Sequence, residues 1–126
     1  MKRTTTLKVG TLDQFFVEGR QIAKLADEGK LIPETWEVTF ESVEDLMAYL
    51  TPKRVALFEA IRGADEPASI TTMAERVGRD RAAVKRDIDA LLRLGIVNVT
   101  DAPLPGHGRQ KVVRPVARKV VLTATL

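Results

Sequence analysis

The 126-residue sequence contains no cysteine, which excludes disulfides, thiolate zinc sites and cysteine nucleophiles. Histidine is almost as scarce. His107 stands alone in the loop Leu104-Pro105-Gly106-His107-Gly108-Arg109, which offers neither a base with an orienting partner nor a second metal ligand. No apolar run approaches the roughly 20 residues that cross a bilayer, and Met1-Lys2-Arg3-Thr4-Thr5-Thr6 lacks the apolar core of a secretory signal. Nor can a carboxylate pair, a phosphate-binding loop, a metal cluster or a nucleophile with its base be assembled from the chain. The expectation is a cytoplasmic protein that is not an enzyme, stays off the membrane and uses no metal or cofactor.

What the chain does have is 44% hydrophobic and 29% charged residues, enough for one core with an accessory element. The formal charge is only +3, but it is unevenly spread. Residues 1 to 68 carry 9 Lys or Arg against 12 Asp or Glu, whereas residues 69 to 126 carry 11 against 5, so the second part is basic. Such asymmetry is the footprint of a surface that meets phosphates.

The basic part also carries the most specific pattern. Ile70-Thr71-Thr72-Met73-Ala74-Glu75-Arg76-Val77-Gly78 predicts a short helix with Thr71 as N-cap, an apolar face of Ile70, Met73, Ala74 and Val77, and a glycine stop. Asp80, an N-cap residue type, then opens a second helix after the three or four residues that join the helices of a helix-turn-helix. In that second helix Val84, Ile88, Leu91 and Leu92 share one face, while Ala82, Arg86, Asp89 and Arg93 point the other way. Gly95 stops it, and Ile96-Val97-Asn98-Val99 begins a strand. A loop with Pro103, Pro105, Gly106 and Gly108 leads to Val112 and Val113. Val116 to Leu122 is expected to supply the returning strand, with Pro115 interrupting the pairing.

Ahead of this lies a different alternation. Thr5, Leu7 and Val9 predict a strand, and Leu12, Phe15, Phe16, Gly19, Ile22, Ala23 and Ala26 predict a helix behind the capping box Thr11-Leu12-Asp13-Gln14. Trp36, Val38 and Phe40 predict a second strand. Ser42 caps a helix with a seam of Val43, Leu46, Met47 and Leu50, and Thr51-Pro52 starts another whose Val55, Phe58 and Ile61 face the core.

With those residues in view, positions 51 to 123 resemble a winged helix-turn-helix domain of the MarR-like kind. The string Phe40-Glu41-Ser42-Val43-Glu44-Asp45-Leu46-Met47-Ala48-Tyr49-Leu50-Thr51-Pro52-Lys53-Arg54 resembles a prokaryotic family of transcriptional regulators often encoded beside small toxins. The fold class expected is α+β, with an accessory strand-helix-strand-helix and dimerisation region over 1–50 and the winged helix-turn-helix over 51–126. The resemblance implies a repressor, and more finely an antitoxin that represses its own operon and captures a small toxin protein.

A duplex presents closely spaced phosphates, so its reader needs several long cations and a slim element for the major groove. Arg81, Lys85 and Arg86 are placed for base edges or phosphates, Ala82 for close approach, and Arg76 and Arg79 for backbone contacts beside the turn. In the wing, Arg109, Lys111 and Arg114 could follow the adjacent backbone or reach the minor groove, as the resemblance implies. The plain alternative for each of these cations is a solvated surface charge. Asp87 and Asp89 either repel phosphates or pair with Lys85, Arg86 or Arg93 and fix their direction.

Phe15, Phe16, Trp36 and Phe40 sit at helix and strand periods, as core residues do, although a ligand pocket would use the same types. Two short strands make no stable sheet alone. Edge pairing with a second copy would bury them and set two reading helices over a palindromic operator. A homodimer is therefore expected, with Leu7, Val9, Phe15, Phe16, Ile22, Trp36, Val38 and Phe40 at or near its interface. The rival expectation is a winged-helix interaction adaptor that docks an acidic protein and does not bind DNA.

Overall fold

Alternating Thr5 and Leu7, both fully buried, make β1 (Arg3–Val9) the middle of a three-stranded sheet in the computed structural model of the chain. The structure describes residues 3–10, 35–104, 106 and 108–126. The helix expected over 12–26, with Phe15, Phe16 and Ile22, lies outside the described residues, as does His107. On one side of β1 runs β2 (Thr35–Phe40), parallel, with Thr5 opposite Trp36 and Leu7 opposite Val38. On the other side runs β6 (Ala117–Thr123), also parallel, with Thr5 opposite Val120 and Leu7 opposite Leu122.

The third strand of this sheet corrects two sequence expectations. Residues 116 to 122 do not return along the wing, because β5 (Gly108–Pro115) is the strand that pairs with β4 (Val97–Leu104) in an antiparallel hairpin. Pro115 ends the pairing, since it has no N–H to give. The amides of Val116 and Ala117 instead donate to the Ile96 carbonyl, and the chain turns across to β1. The chain's own C-terminal strand thus supplies what a second copy was expected to supply, and β6 belongs to the sheet begun by residues 3–9. The division at residue 50 does not separate the two sheets.

Between the sheets the caps set the helices. Ser42 Oγ accepts from the Asp45 amide before α1 (Val43–Tyr49), and Thr51 Oγ1 accepts from the Arg54 amide before α2 (Pro52–Gly63). Strand β3 (Ala68–Ser69) pairs with β5, and Ser69 Oγ accepts from the Thr72 amide at 3.1 Å to cap α3 (Ile70–Val77). The cap is therefore Ser69 rather than Thr71. Burial of Ile70 draws the helix cap two residues earlier and leaves Thr71 at the surface.

Gly78 takes φ +66°, the left-handed conformation that L side chains avoid, and closes α3. Asp80 Oδ2 then accepts from the amides of Ala82 and Ala83 to start α4 (Arg81–Arg93).

Leu57, Phe58 and Ile61 of α2, Met73 of α3, Val84, Ile88 and Leu91 of α4, and Ile96, Val97 and Val113 form the core. Three expected core positions differ. Leu92 is 41% exposed and Met47 is 68% exposed, while Val55 is only half-buried and Leu57, two residues further on, is the fully buried residue of that stretch. On α4 the inward turn after Ile88 is completed by Ala90 and Leu91, so Leu92 falls on the flank beside the hairpin. Among the described residues no helix is long and apolar enough to cross a membrane.

Candidate nucleic-acid interface

The outer face of α4 lies between the start of α2 on one flank and the β4–β5 hairpin on the other. Helical geometry sets Arg81 and Lys85 toward the hairpin, Arg86 toward α2, and Ala82 on the ridge between them. All four are exposed.

On the hairpin flank, Arg81 and Lys85 line a cleft of about 420 Å³ with Ser69, Ile70, Thr71, Arg109, Gln110 and Lys111. Four cations separated by up to 30 positions in sequence thus meet around one opening. Arg81 Nε donates to Thr71 Oγ1 at 3.0 Å, which holds the guanidinium across the gap between α3 and α4. Arg109 and Lys111 alternate onto the same face of β5, both exposed, with no hydrogen bond or ion pair among the described residues. Arg114 is exposed as well, but its position in the alternation puts it on the opposite face of β5 from Lys111, and it does not line the cleft.

On the α2 flank a wider opening of about 720 Å³ is lined by Thr51, Pro52, Lys53, Arg54, Arg79, Asp80, Ala83, Arg86 and Asp87. Arg86 has no hydrogen bond or ion pair among the described residues, so its charge is available. Lys53 shares this opening and was not singled out in the sequence. Its signal was a cation in the first turn of a helix opened by Thr51-Pro52, but only the fold sets that turn beside α4. Thr71 and Gln110 were likewise missed, because neither carries a charge.

The two acidic residues of α4 behave differently. Asp87 points inward, is 7% exposed, and accepts from Arg54 Nε at 2.9 Å and Arg79 Nη2 at 2.6 Å. Burial alone would push its carboxyl pKa up. The hydrogen bonds and charges of Arg54 and Arg79 outweigh that, and the net shift is downward. Arg54 also donates to the Tyr49 carbonyl and lies over the Tyr49 ring, and Tyr49 Oη donates to the Ala90 carbonyl. Arg79 is thus committed to fixing the turn between α3 and α4. A direct phosphate contact by its Nη2, as the sequence suggested, would compete with Asp87. Asp89 instead stays outward and pairs with Lys85 Nζ at 3.1 Å. Arg76 is exposed on α3, with Nη1 4.0 Å from Met73 Sδ.

The residues expected at a dimer interface divide. Leu7 is fully buried inside the chain, Val9, Val38 and Phe40 are half-buried against its core, and Trp36 is 50% exposed. Trp36 carries the Arg3 guanidinium 4.6 Å from its ring centroid, and Arg3 Nη2 donates to the Gly95 carbonyl at 2.6 Å. The N-terminal sheet therefore grips the turn that ends α4.

A family model described as HVO_A0114 matches residues 49–120, which span α2, α3, α4, the hairpin and the start of β6. No curated protein matches the chain. Among solved structures, the chain is similar to a protein from Methanosarcina mazei Go1 named "Possible transcriptional regulator", at 18% identity and a TM-score of 0.49, covering 60% of this chain and 67% of that one.

Proposed function

The chain belongs to the HVO_A0114 family, whose match spans more than half of it, and we propose that it is a sequence-specific double-stranded DNA-binding transcriptional regulator of winged helix-turn-helix type. The observation that carries this reading is the meeting of Arg81 and Lys85 of α4 with Arg109 and Lys111 of β5 around one cleft, on a helix whose outer face starts with the small, exposed Ala82. The order α2, β3, α3, turn, α4, hairpin supports the winged-helix assignment, in the MarR-like manner. In it, α4 enters the major groove and the hairpin follows the adjacent backbone.

The finer reading is a repressor of its own operon, acting as two copies on a palindromic operator and as the antitoxin of a small toxin protein. A single α4 reads only one half-site, which favours the two-copy arrangement.

Binding of the purified protein to a labelled fragment of its own upstream region, against a scrambled duplex and across a salt series, tests the reading. Specific retention with a steep salt slope is the expected result. Equal competition by the scrambled duplex would leave only a basic surface. Arg86→Ala is expected to weaken operator binding by about 1 to 3 kcal/mol with less effect on scrambled DNA. Unchanged operator affinity would remove Arg86 from the base-reading set.

A further inference from the structure

The face assigned to DNA contains a residue that a purely phosphate-binding surface would not keep. Asp89 stands outward on α4, in a cleft of about 310 Å³ lined by Ile70, Lys85, Leu92, Val99, Thr100, Asp101 and Lys111. This cleft shares Ile70, Lys85 and Lys111 with the cationic cleft next to it. The other two acidic residues at α4 have structural duties: Asp80 caps the helix and Asp87 holds Arg54 and Arg79. Asp89 has neither duty. Its one partner is Lys85, and the side chains of the pair are 41% and 47% exposed, where solvent takes most of the strength from an ion pair. Lys85 also precedes Asp89 by four residues, the less favourable order for a pair along a helix. Helix stability therefore does not account for it.

We infer that Asp89 is a specificity-determining residue, which withholds Lys85 from arbitrary phosphates and accepts a hydrogen bond from the N4 amino group of a cytosine in the major groove. The inference rests on the DNA-binding reading. A carboxylate accepts from the cytosine amine and repels both phosphates and the guanine acceptors O6 and N7, so it penalises every duplex that lacks a donor at that place. Lys85 is bound within reach of Asp89 in the free protein. When the carboxylate turns to an amine, Lys85 is released to the backbone, so the correct site gains a contact that the wrong site lacks. Affinity for non-specific DNA is thereby given up for discrimination.

The test compares wild type, Asp89→Asn and Asp89→Glu for binding to the operator fragment and to a scrambled duplex across a salt series. Asp89→Asn should bind the scrambled duplex roughly fivefold to tenfold more tightly at 0.1 M salt, with a salt slope steeper by about one, because Lys85 is free to displace one more counterion. The ratio of operator to scrambled affinity should fall about tenfold. That loss should concentrate at one base pair, where single-base operator variants show that wild type prefers cytosine. Asp89→Glu keeps the carboxylate and should retain the slope and most of the ratio. Combining Lys85→Met with Asp89→Asn should abolish the steeper slope.

An unmoved slope and ratio in Asp89→Asn, with wild type still selecting its operator, would overturn the role of Asp89 alone. Absence of salt-dependent duplex binding by wild type would overturn the DNA reading and this role with it. Asp89 neither caps a helix nor joins a buried ion pair, and urea midpoints that match wild type are the check that differences in binding are not differences in folding.

Discussion

At the residue scale, Asp87 and Gly95 decide more about the site than any single cation. Asp87 holds two arginines from two other segments, so Asp87→Ala strands both guanidinium groups and is expected to cost about 2 to 4 kcal/mol in urea unfolding. Asp87→Asn isolates the charge. Because Arg54 and Arg79 lower the folded-state pKa of Asp87, its contribution is present above the ordinary carboxylate value and is lost as the pH falls through the folded-state value. The stability gap between wild type and Asp87→Asn should therefore be widest near neutral pH and close progressively below about pH 4. A gap that stays constant to low pH would show that the carboxylate charge contributes nothing.

Gly95 has φ +76°, and a Cβ there would lie 3.0 Å from Arg3 Nη2 and 3.3 Å from Trp36 Nε1. Gly95→Ala should cost about 1 to 3 kcal/mol and shift the emission of Trp36, the one tryptophan, as Arg3 leaves its ring. Unchanged fluorescence would mean that the Arg3 contact survives.

At the scale of elements, the caps were largely legible in the sequence, since Ser42, Thr51, Gly78 and Asp80 act through bonds to amides two or three residues away or through their own φ. The start of α3 was misread by two residues because Ser69 and Thr71 are both competent caps. Burial of Ile70, which depends on distant partners, selects between them. The hairpin is where affinity is expected to reside. Replacing Arg109 and Lys111 together by alanine should weaken binding to all duplexes and lower the salt slope by about two, one for each lost phosphate contact. A fall confined to the operator would instead assign the hairpin a reading role. Val112 and Val113 keep the strand anchored, so these two exposed changes leave β5 in place.

At the scale of the whole molecule, the two sheets are tied by the crossing of β6 and by the grip of Arg3 on the Gly95 carbonyl. Unfolding followed by Trp36 fluorescence and by far-ultraviolet circular dichroism should give one shared midpoint in urea. Deleting residues 117–126 removes a neighbour of β1 and should lower the tryptophan midpoint ahead of the helical one. Separate midpoints in the intact chain would mean that the N-terminal sheet folds independently.

Local patterns were enough for the two helices flanking Gly78, the glycine turn, the basic half of the chain and the cations along α4. These follow from periodicity, capping and composition, which act over a few residues. The sequence also brought forward Arg109, Lys111 and Arg114, and the alternation of a strand sets Arg114 on the face opposite the other two. Long-range packing was needed to turn Asp87 inward and leave Asp89 outward beside the hairpin, to bring Lys53 next to Arg86, and to make the last strand complete the first sheet. Helical spacing leaves a carboxylate near the boundary of a face free to turn either way, and the choice falls to partners 33 and 8 residues away. Strand pairing is likewise a contract between segments far apart in the chain. Val116 to Leu122 carries the same β-branched alternation whether it lies beside β5 or beside β1, and Pro115 with the Ile96 carbonyl sends it to β1.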